Sequence, residues 1–147
     1  MPLQRLKYLL DTIPGKLHAI PEEEFSRKPA PEKWSKKEII GHLIDSAANN
    51  HQRFIRIQFE DVPYIKYDQN QWNYASHYNE MENSHVINFW EQYNRHLIEV
   101  IKRIPEENML RECYTGGDSN VTLQWLIGDY VVHMEHHLKQ IFGDIEL

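Results

Sequence analysis

Four stretches of the chain repeat apolar residues at spacings of three and four, the pattern of one buried face of an α-helix. The pattern predicts four helices, over residues 3–17, from Ser35 to about Phe59, over residues 86–104, and from Asn120 or Thr122 to residue 141. No stretch shows the alternation that is typical of a half-buried strand. We therefore predict an all-α fold, a four-helix bundle that forms a single domain over residues 1–147.

Local residues mark where several of these helices begin and end. Ser35, with Glu38 three residues later, has the pattern of a capping box at the start of the second helix. Pro105 is expected to end the third helix. The pair Pro14 and Gly15 is expected to break or kink the first helix, because proline lacks an N–H and clashes with the preceding turn.

The segment from Asp61 to Met81 lacks convincing helical periodicity, although it is rich in tyrosine and tryptophan. Long unpatterned loops in compact domains are usually functional or disordered. The many aromatic residues favour an ordered, aromatic-rich crossover that lies across one end of the bundle. Two interpretations stay open, an ordinary packed crossover and the wall of a functional site.

Three histidines carry the main chemical signal. His133 and His137 are four residues apart on the predicted fourth helix, so their imidazoles lie on the same side of it. His42 on the second helix could supply a third nitrogen, and three protein ligands leave one position of a tetrahedral metal open for water or substrate. The alternative is chance spacing among the nine histidines of the chain, each held by ordinary hydrogen bonds.

Neighbouring residues narrow this hypothesis. Met134 stands where a zinc protease of the HExxH type has a glutamate, so the spacing does not predict that class of enzyme. Three roles stay open for Asp129, which lies one turn before His133. It could be a fourth metal ligand, a hydrogen-bond acceptor for a ligand imidazole, or a solvated helix carboxylate. His136 points away from His137 on the helix and is expected to be exposed.

Charge and composition exclude several classes of function. The net charge of −6 argues against nucleic-acid binding, which needs a basic patch. No apolar run approaches the roughly 20 residues that cross a membrane, and the N-terminus lacks a signal-peptide core. The single cysteine, Cys113, cannot form an internal disulfide, which indicates a reducing, cytoplasmic location. Its neighbours supply no thiolate environment, so we interpret Cys113 as structural or incidental.

Three groups of residues, taken together, resemble one family. They are Lys33-Trp34-Ser35 leading into residues 41–46, Tyr67-Asp68 with Trp72, and residues 130–133 with His136, His137 and Ile141. In this order and spacing they are similar to the DinB/YfiT-like superfamily. The branch they resemble most is that of the YfiT-type metal-dependent bacillithiol S-transferases, also described as candidate metal-dependent hydrolases. The similarity spans nearly the whole chain.

The resemblance implies a DinB-type bundle, often a homodimer, in which His42, His133 and His137 hold a divalent metal ion, zinc or alternatively nickel. It also implies that a small thiol such as bacillithiol binds the metal and attacks an electrophilic substrate, since a coordinated thiol loses its proton near neutral pH. Further residues expected beside the metal or in the substrate pocket, some of them at its mouth, are Asp45, Tyr67, Asp68, Trp72, Asp129 and Tyr130. The alternatives are a hydrolase that uses metal-activated water, and a non-catalytic bundle that binds metal or a partner protein.

Overall fold

The computed structural model describes residues 1–143 and contains four long helices, with shorter elements in the connections between them. The elements are α1 (Pro2–His18), α2 (Glu22–Ser26), α3 (Lys36–Arg56), α4 (Gln69–Ser76), α5 (Asn83–Ile101), β1 (Glu112–Cys113), β2 (Val121–Thr122) and α6 (Leu123–Phe142). The long helices α1, α3, α5 and α6 confirm the predicted all-α four-helix bundle.

The core lies between the long helices and consists largely of the apolar repeats that predicted them. α1 and α3 both pack along α5, and α6 packs against α3 and α1. Trp90 of α5, Phe54 of α3 and Phe25 of α2 are fully buried. Because burial of one such side chain contributes roughly 1.5–3 kcal/mol, packing rather than local helix propensity stabilises the bundle.

α3 begins at the predicted residue. The Ser35 hydroxyl accepts a hydrogen bond from the Glu38 N–H at 3.0 Å, and the Glu38 carboxylate accepts one from the Ser35 N–H at 2.9 Å. This capping box satisfies two N–H groups that the first turn leaves free. It also fixes where the helix starts, and therefore the direction in which His42 points about two turns later.

The prediction that Pro14 and Gly15 break the first helix was wrong, because α1 continues through both residues to His18. Proline at position 14 removes the hydrogen bond to the carbonyl of Leu10. In the folded chain that carbonyl accepts a hydrogen bond from Nη2 of Arg95 on α5 at 3.0 Å instead. A tertiary contact therefore compensates for the local defect.

The crossover from Asp61 to Met81 is more regular than its sequence pattern indicated. Its second half forms α4 and a turn of 3₁₀-helix, Tyr78–Glu80. Asp68 is the N-cap of α4, and its Oδ1 accepts hydrogen bonds from two N–H groups of the first turn, both at 3.1 Å. Periodicity missed α4 because eight residues complete only about two helical turns.

A short antiparallel hairpin formed by β1 and β2 precedes α6. Its strands are two residues long, too short to show alternation in the sequence. The hairpin holds the crossover in place, since the N–H of Tyr114 donates to the carbonyl of Pro63 and the N–H of Ile65 donates to the carbonyl of Tyr114. Within residues 1–143, none of the helices combines the length and apolar character needed to cross a membrane.

Candidate metal centre

Three imidazoles from two helices meet between α3 and α6. His42 comes from α3, and His133 and His137 come from successive turns of α6. Nε2 of His133 lies 3.2 Å from Nε2 of His42 and 3.1 Å from Nε2 of His137. One ring nitrogen of each histidine lies within 4.8 Å of the other two. The fold thus brings together the three predicted residues, two of which are 91 positions apart in the sequence.

The nitrogen spacing and the exposure of the rings both suit a metal ion. In a tetrahedral zinc site with bonds of about 2.0–2.1 Å, neighbouring ligand nitrogens are roughly 3.3 Å apart. The distances measured here, 3.1 and 3.2 Å, are close to that value. His42 is fully buried, whereas His133 and His137 are half-buried, so the cluster is reachable from one side. Within the described part of the chain, no cysteine or carboxylate joins the three rings.

The environment keeps these imidazoles neutral. Burial, together with the neighbouring imidazoles, lowers the pKa of His42 to about 3 and that of His133 to about 4. Burial also lowers the pKa of His137, although its contact with Gln140 acts in the opposite direction. Because a metal binds only the neutral ring, the site is ready to accept an ion at neutral pH without first losing protons.

Two side chains that were not assigned a role from the sequence contact and orient rings of the histidine cluster. Nδ1 of His137 lies 2.8 Å from Oε1 of Gln140, and when Nδ1 donates the proton of this bond, Nε2 presents its lone pair to the centre. The ring of Trp34 packs on His42, with centroids 4.9 Å apart. Both residues could have been recognised in the sequence, because Trp34 belongs to one of the motifs that resemble the family and Gln140 follows His137 at helical spacing.

Asp45 is a carboxylate on the same helix as His42 and is almost fully buried. It follows His42 by three residues on α3 and is 2% exposed. Its Oδ1 accepts a hydrogen bond from the hydroxyl of Tyr78 at 2.5 Å. Burial raises the pKa of Asp45 to about 6, although the hydrogen bond from Tyr78 partly opposes this rise. Helix α3 therefore carries a buried carboxyl group whose pKa lies well above that of an ordinary aspartate.

Tyr67 and Trp72 form an aromatic pair next to this part of α3. The Tyr67 hydroxyl interacts with Ser46, one turn after His42, and lies within the electrostatic influence of Arg53 and Asp45. The Trp72 ring packs edge-on against Tyr67, with centroids 5.9 Å apart. Trp72 is 40% exposed, so much of its ring faces the solvent. A role for the pair at the mouth of a metal site stays a prediction.

The remaining candidates are not part of the cluster. Asp129 is exposed and lines a groove of about 790 Å³ between α6 and the start of α1, so the solvated-carboxylate alternative fits its position. Tyr130 is buried and donates a hydrogen bond to Asn94 of α5, which ties two long helices together. His136 is exposed, as predicted. Cys113 is buried, and burial raises the pKa of its thiol, in keeping with a structural role.

Comparison with known proteins places this arrangement in a family. A relative from Bacillus subtilis named "Putative metal-dependent hydrolase YfiT" is 24% identical over 139 residues, covering 90% of this chain and 78% of the relative. A similarly named relative from Halalkalibacterium halodurans is 24% identical over 137 residues, covering 90% of this chain and 80% of its own.

Solved structures share the fold. The structure of YfiT from Bacillus subtilis, described as having "an unusual four-helix bundle topology", superposes with a TM-score of 0.81 at 20% identity, covering 95% of this chain and 83% of that one. A mycothiol-dependent maleylpyruvate isomerase superposes with a TM-score of 0.75 at 12% identity, covering 93% of this chain and 58% of the isomerase. The sequence itself matches the DinB superfamily over residues 5–141. The chain is therefore a member of the DinB superfamily with the YfiT-type four-helix bundle that its sequence motifs indicated.

Proposed function

We propose that this chain is a metal-dependent enzyme that binds a low-molecular-weight thiol at its three-histidine centre and transfers the thiol to an electrophilic substrate. The observation that carries the proposal is the convergence of three neutral imidazole nitrogens in a cluster that is accessible from one side. The relatives named as metal-dependent hydrolases support the dependence on a metal. Zinc is the expected ion and nickel the alternative.

Several residues of the chain would have distinct roles in such a site. His42, His133 and His137 would hold the ion, and Gln140 would fix the ring of His137. A bound divalent ion supplies a Lewis acid that lowers the pKa of a coordinated thiol or water. Trp34 and the buried side of α3 limit the access of water to His42. Exclusion of water strengthens the electrostatic interactions inside the site and protects a reactive nucleophile.

Two considerations favour a thiol as the nucleophile. One structural relative is an isomerase whose name states a dependence on mycothiol, a low-molecular-weight thiol. In addition, no carboxylate among the described residues belongs to the histidine cluster itself, so a nucleophile there must lose its proton through the metal or to a residue outside the cluster. A thiol needs less help, because its own pKa is closer to neutral than that of water. Bacillithiol is the thiol that the family resemblance indicates.

A metal-dependent hydrolase is the second candidate function. The names of the two sequence relatives favour it, and the buried Asp45 could accept a proton from water. The two functions differ in one measurable respect, because hydrolysis does not require a thiol. The zinc-loaded protein should therefore be incubated with a haloalkane or an epoxide, with and without added thiol. Thioether formation above the uncatalysed rate supports the transferase, whereas product formation that is indifferent to thiol supports the hydrolase.

The metal site itself is tested by elemental analysis of the purified protein and of three single variants. His133→Ala and His137→Ala should lose tight metal binding, because two remaining nitrogens form a poor chelate. His136→Ala is the matched control, since this exposed neighbour should leave the metal content unchanged. Equal loss of metal from all three variants would contradict the assignment of ligands. Retention of metal by all three would favour another site.

We also propose that the protein is a homodimer, which light scattering tests.

A further inference from the structure

Only one of the two oxygens of the Asp45 carboxyl group has a hydrogen-bond partner in the described part of the folded chain. Oδ1 accepts the hydrogen bond from Tyr78 at 2.5 Å, but Oδ2 is buried and has no hydrogen-bond partner among residues 1–143. Buried polar atoms in native proteins nearly always have a partner, and an exception often marks a bound water, a ligand or a catalytic role. A purely structural carboxylate would be expected to have donors on both oxygens. The free oxygen is therefore open to a donor from a bound molecule.

The position of Asp45 is built by two other residues. The Tyr78 ring lies so close to the backbone of α3 at Gly41 that a Cβ there would come within 2.2 Å of a ring carbon. Glycine at position 41 thus lets the tyrosine approach the helix and reach Asp45, one turn further along. The hydrogen bond from Tyr78 fixes the rotation of the carboxyl group, so the direction of Oδ2 is fixed as well.

The surroundings of Asp45 suit a proton acceptor. His42 lies three residues before it on the same helix, Ser46 follows it directly, and the charge of Asp45 acts on the hydroxyl of Tyr67. Burial raises the pKa of Asp45 to about 6. The group is therefore mostly ionised at pH 7, yet it is far more basic than an ordinary aspartate. A base with a pKa near the working pH is the effective kind in general acid–base catalysis.

We propose that Asp45 is the general base of this site and that its Oδ2 accepts the proton of the thiol bound at the three histidines. The proposal rests on the proposed function and assigns the residue that activates the nucleophile. As the S–H bond breaks, its electron pair stays on sulfur and the proton moves to Oδ2. The sulfur pair then forms the new bond to the electrophilic carbon, and the leaving group departs with the old bonding pair. Asp45 can then protonate the leaving group and return to the carboxylate form.

A count of protons tests this role separately from turnover. Binding of 2-mercaptoethanol to the zinc-loaded protein is measured by calorimetry at pH 7 in buffers with different ionisation enthalpies. If Asp45 takes the proton, the wild-type protein releases close to none to the buffer, because a neighbouring thiolate raises the pKa of the carboxyl group. Asp45→Asn should release about one proton per thiol and lose about 10²–10⁴-fold in transfer rate. Asp118→Asn, at an exposed carboxylate, is the matched control and should behave as the wild type.

The possible results separate the two proposals. Equal proton release by the wild type and Asp45→Asn, or a transfer rate within threefold of the wild type, would refute the role of Asp45 alone. A zinc-loaded wild type that binds no thiol would overturn the thiol-transfer function, and this role with it. Zinc affinity is measured on the same samples, and a loss in Asp45→Asn as large as in His137→Ala would make Asp45 a residue that supports the metal instead.

A second variant keeps the proposal testable if Asp45→Asn does not fold. Tyr78→Phe removes the hydrogen bond that lowers the pKa of Asp45 and leaves the carboxyl group in place. The acidic limb of the rate–pH profile should then move to higher pH, because Asp45 must be ionised to accept a proton. An unchanged acidic limb in Tyr78→Phe would contradict the proposal.

Discussion

Substitution of Gly41 by alanine tests the contact on which the position of Asp45 depends. An alanine Cβ would lie 2.2–2.6 Å from three ring atoms of Tyr78, including the ring carbon nearest the backbone. The whole ring must therefore move, since rotation of its outer edge alone cannot relieve the clash. Gly128 of α6 is the matched control, because apart from its chain neighbours and the backbone of its own helix, no atom of the described residues lies within 4 Å of a Cβ built there.

The expected cost follows from three effects. Forced overpacking costs about 1–3 kcal/mol, and loss of the hydrogen bond to the Asp45 carboxyl group adds about 1.5–3 kcal/mol. Alanine recovers about 1 kcal/mol of helix propensity. Gly41→Ala should therefore lower the free energy of unfolding by about 1.5–5 kcal/mol. Gly128→Ala receives only the gain in propensity and should raise it by about 0.5–1 kcal/mol.

Urea unfolding followed by tryptophan fluorescence measures both variants, with a chelator present so that metal binding does not contribute. For a chain of this size, each kcal/mol corresponds to about 2–4 °C in the melting temperature. An unfolding free energy of Gly41→Ala that equals or exceeds the wild-type value would refute the argument, because the ring would then have room to move without losing Asp45. Destabilisation of both variants by the same amount would show that glycine in these helices is required for another reason.

Three further predictions follow from the same geometry. Gln140→Ala should weaken zinc binding by about 10–100-fold, measured by competition with a chromogenic chelator, because the orientation of His137 is no longer fixed. Burial raises the pKa of Asp45 to about 6 in the folded protein, above its value of about 4 in the unfolded chain. Asp45 therefore makes its full contribution to the stability of the metal-free protein below pH 4, and this contribution is lost as the pH rises through 6. Relative to the wild type, metal-free Asp45→Asn should therefore gain about 2 kcal/mol of unfolding free energy between pH 4 and pH 7, and a constant difference across this range would contradict the buried-carboxylate argument. Trp72→Ala should lower turnover more than it lowers metal content or melting temperature, since the ring is 40% exposed and packs on Tyr67; a large loss of stability would instead make it a core residue.

The long helices and the pair of histidines on α6 could be predicted because their signals are local. A helix repeats every 3.6 residues, so the apolar spacing in α1, α3, α5 and α6 reveals both the helices and their buried faces. The same repeat places His133 and His137 on one side of α6. The capping box of Ser35 and Glu38 is equally local, since its two hydrogen bonds lie within one turn.

Other features depend on residues that are far apart in the sequence and meet only in the folded chain. Helix α1 continues past Pro14 because Arg95 of another helix satisfies the carbonyl that proline leaves free. The short helix α4 is capped by Asp68 and held on α3 by a hydrogen bond from Asn73 to the carbonyl of Glu38, and neither contact has a periodic pattern. Short elements of this kind depend on tertiary contacts, because their own periodicity and propensity are weak.

The sequence by itself determined the helical class, the family and the three histidines, because each of these follows from the spacing of residues along one or two helices. Only the tertiary structure decided which of the two candidate carboxylates, Asp45 or Asp129, is buried. Asp129 is close to His133 in the sequence but faces the solvent, whereas Asp45 is buried with one oxygen held by Tyr78 and the other free. Burial and the direction of a side chain depend on what packs against it, and here that is Tyr78, brought to Gly41 from 33 residues beyond Asp45.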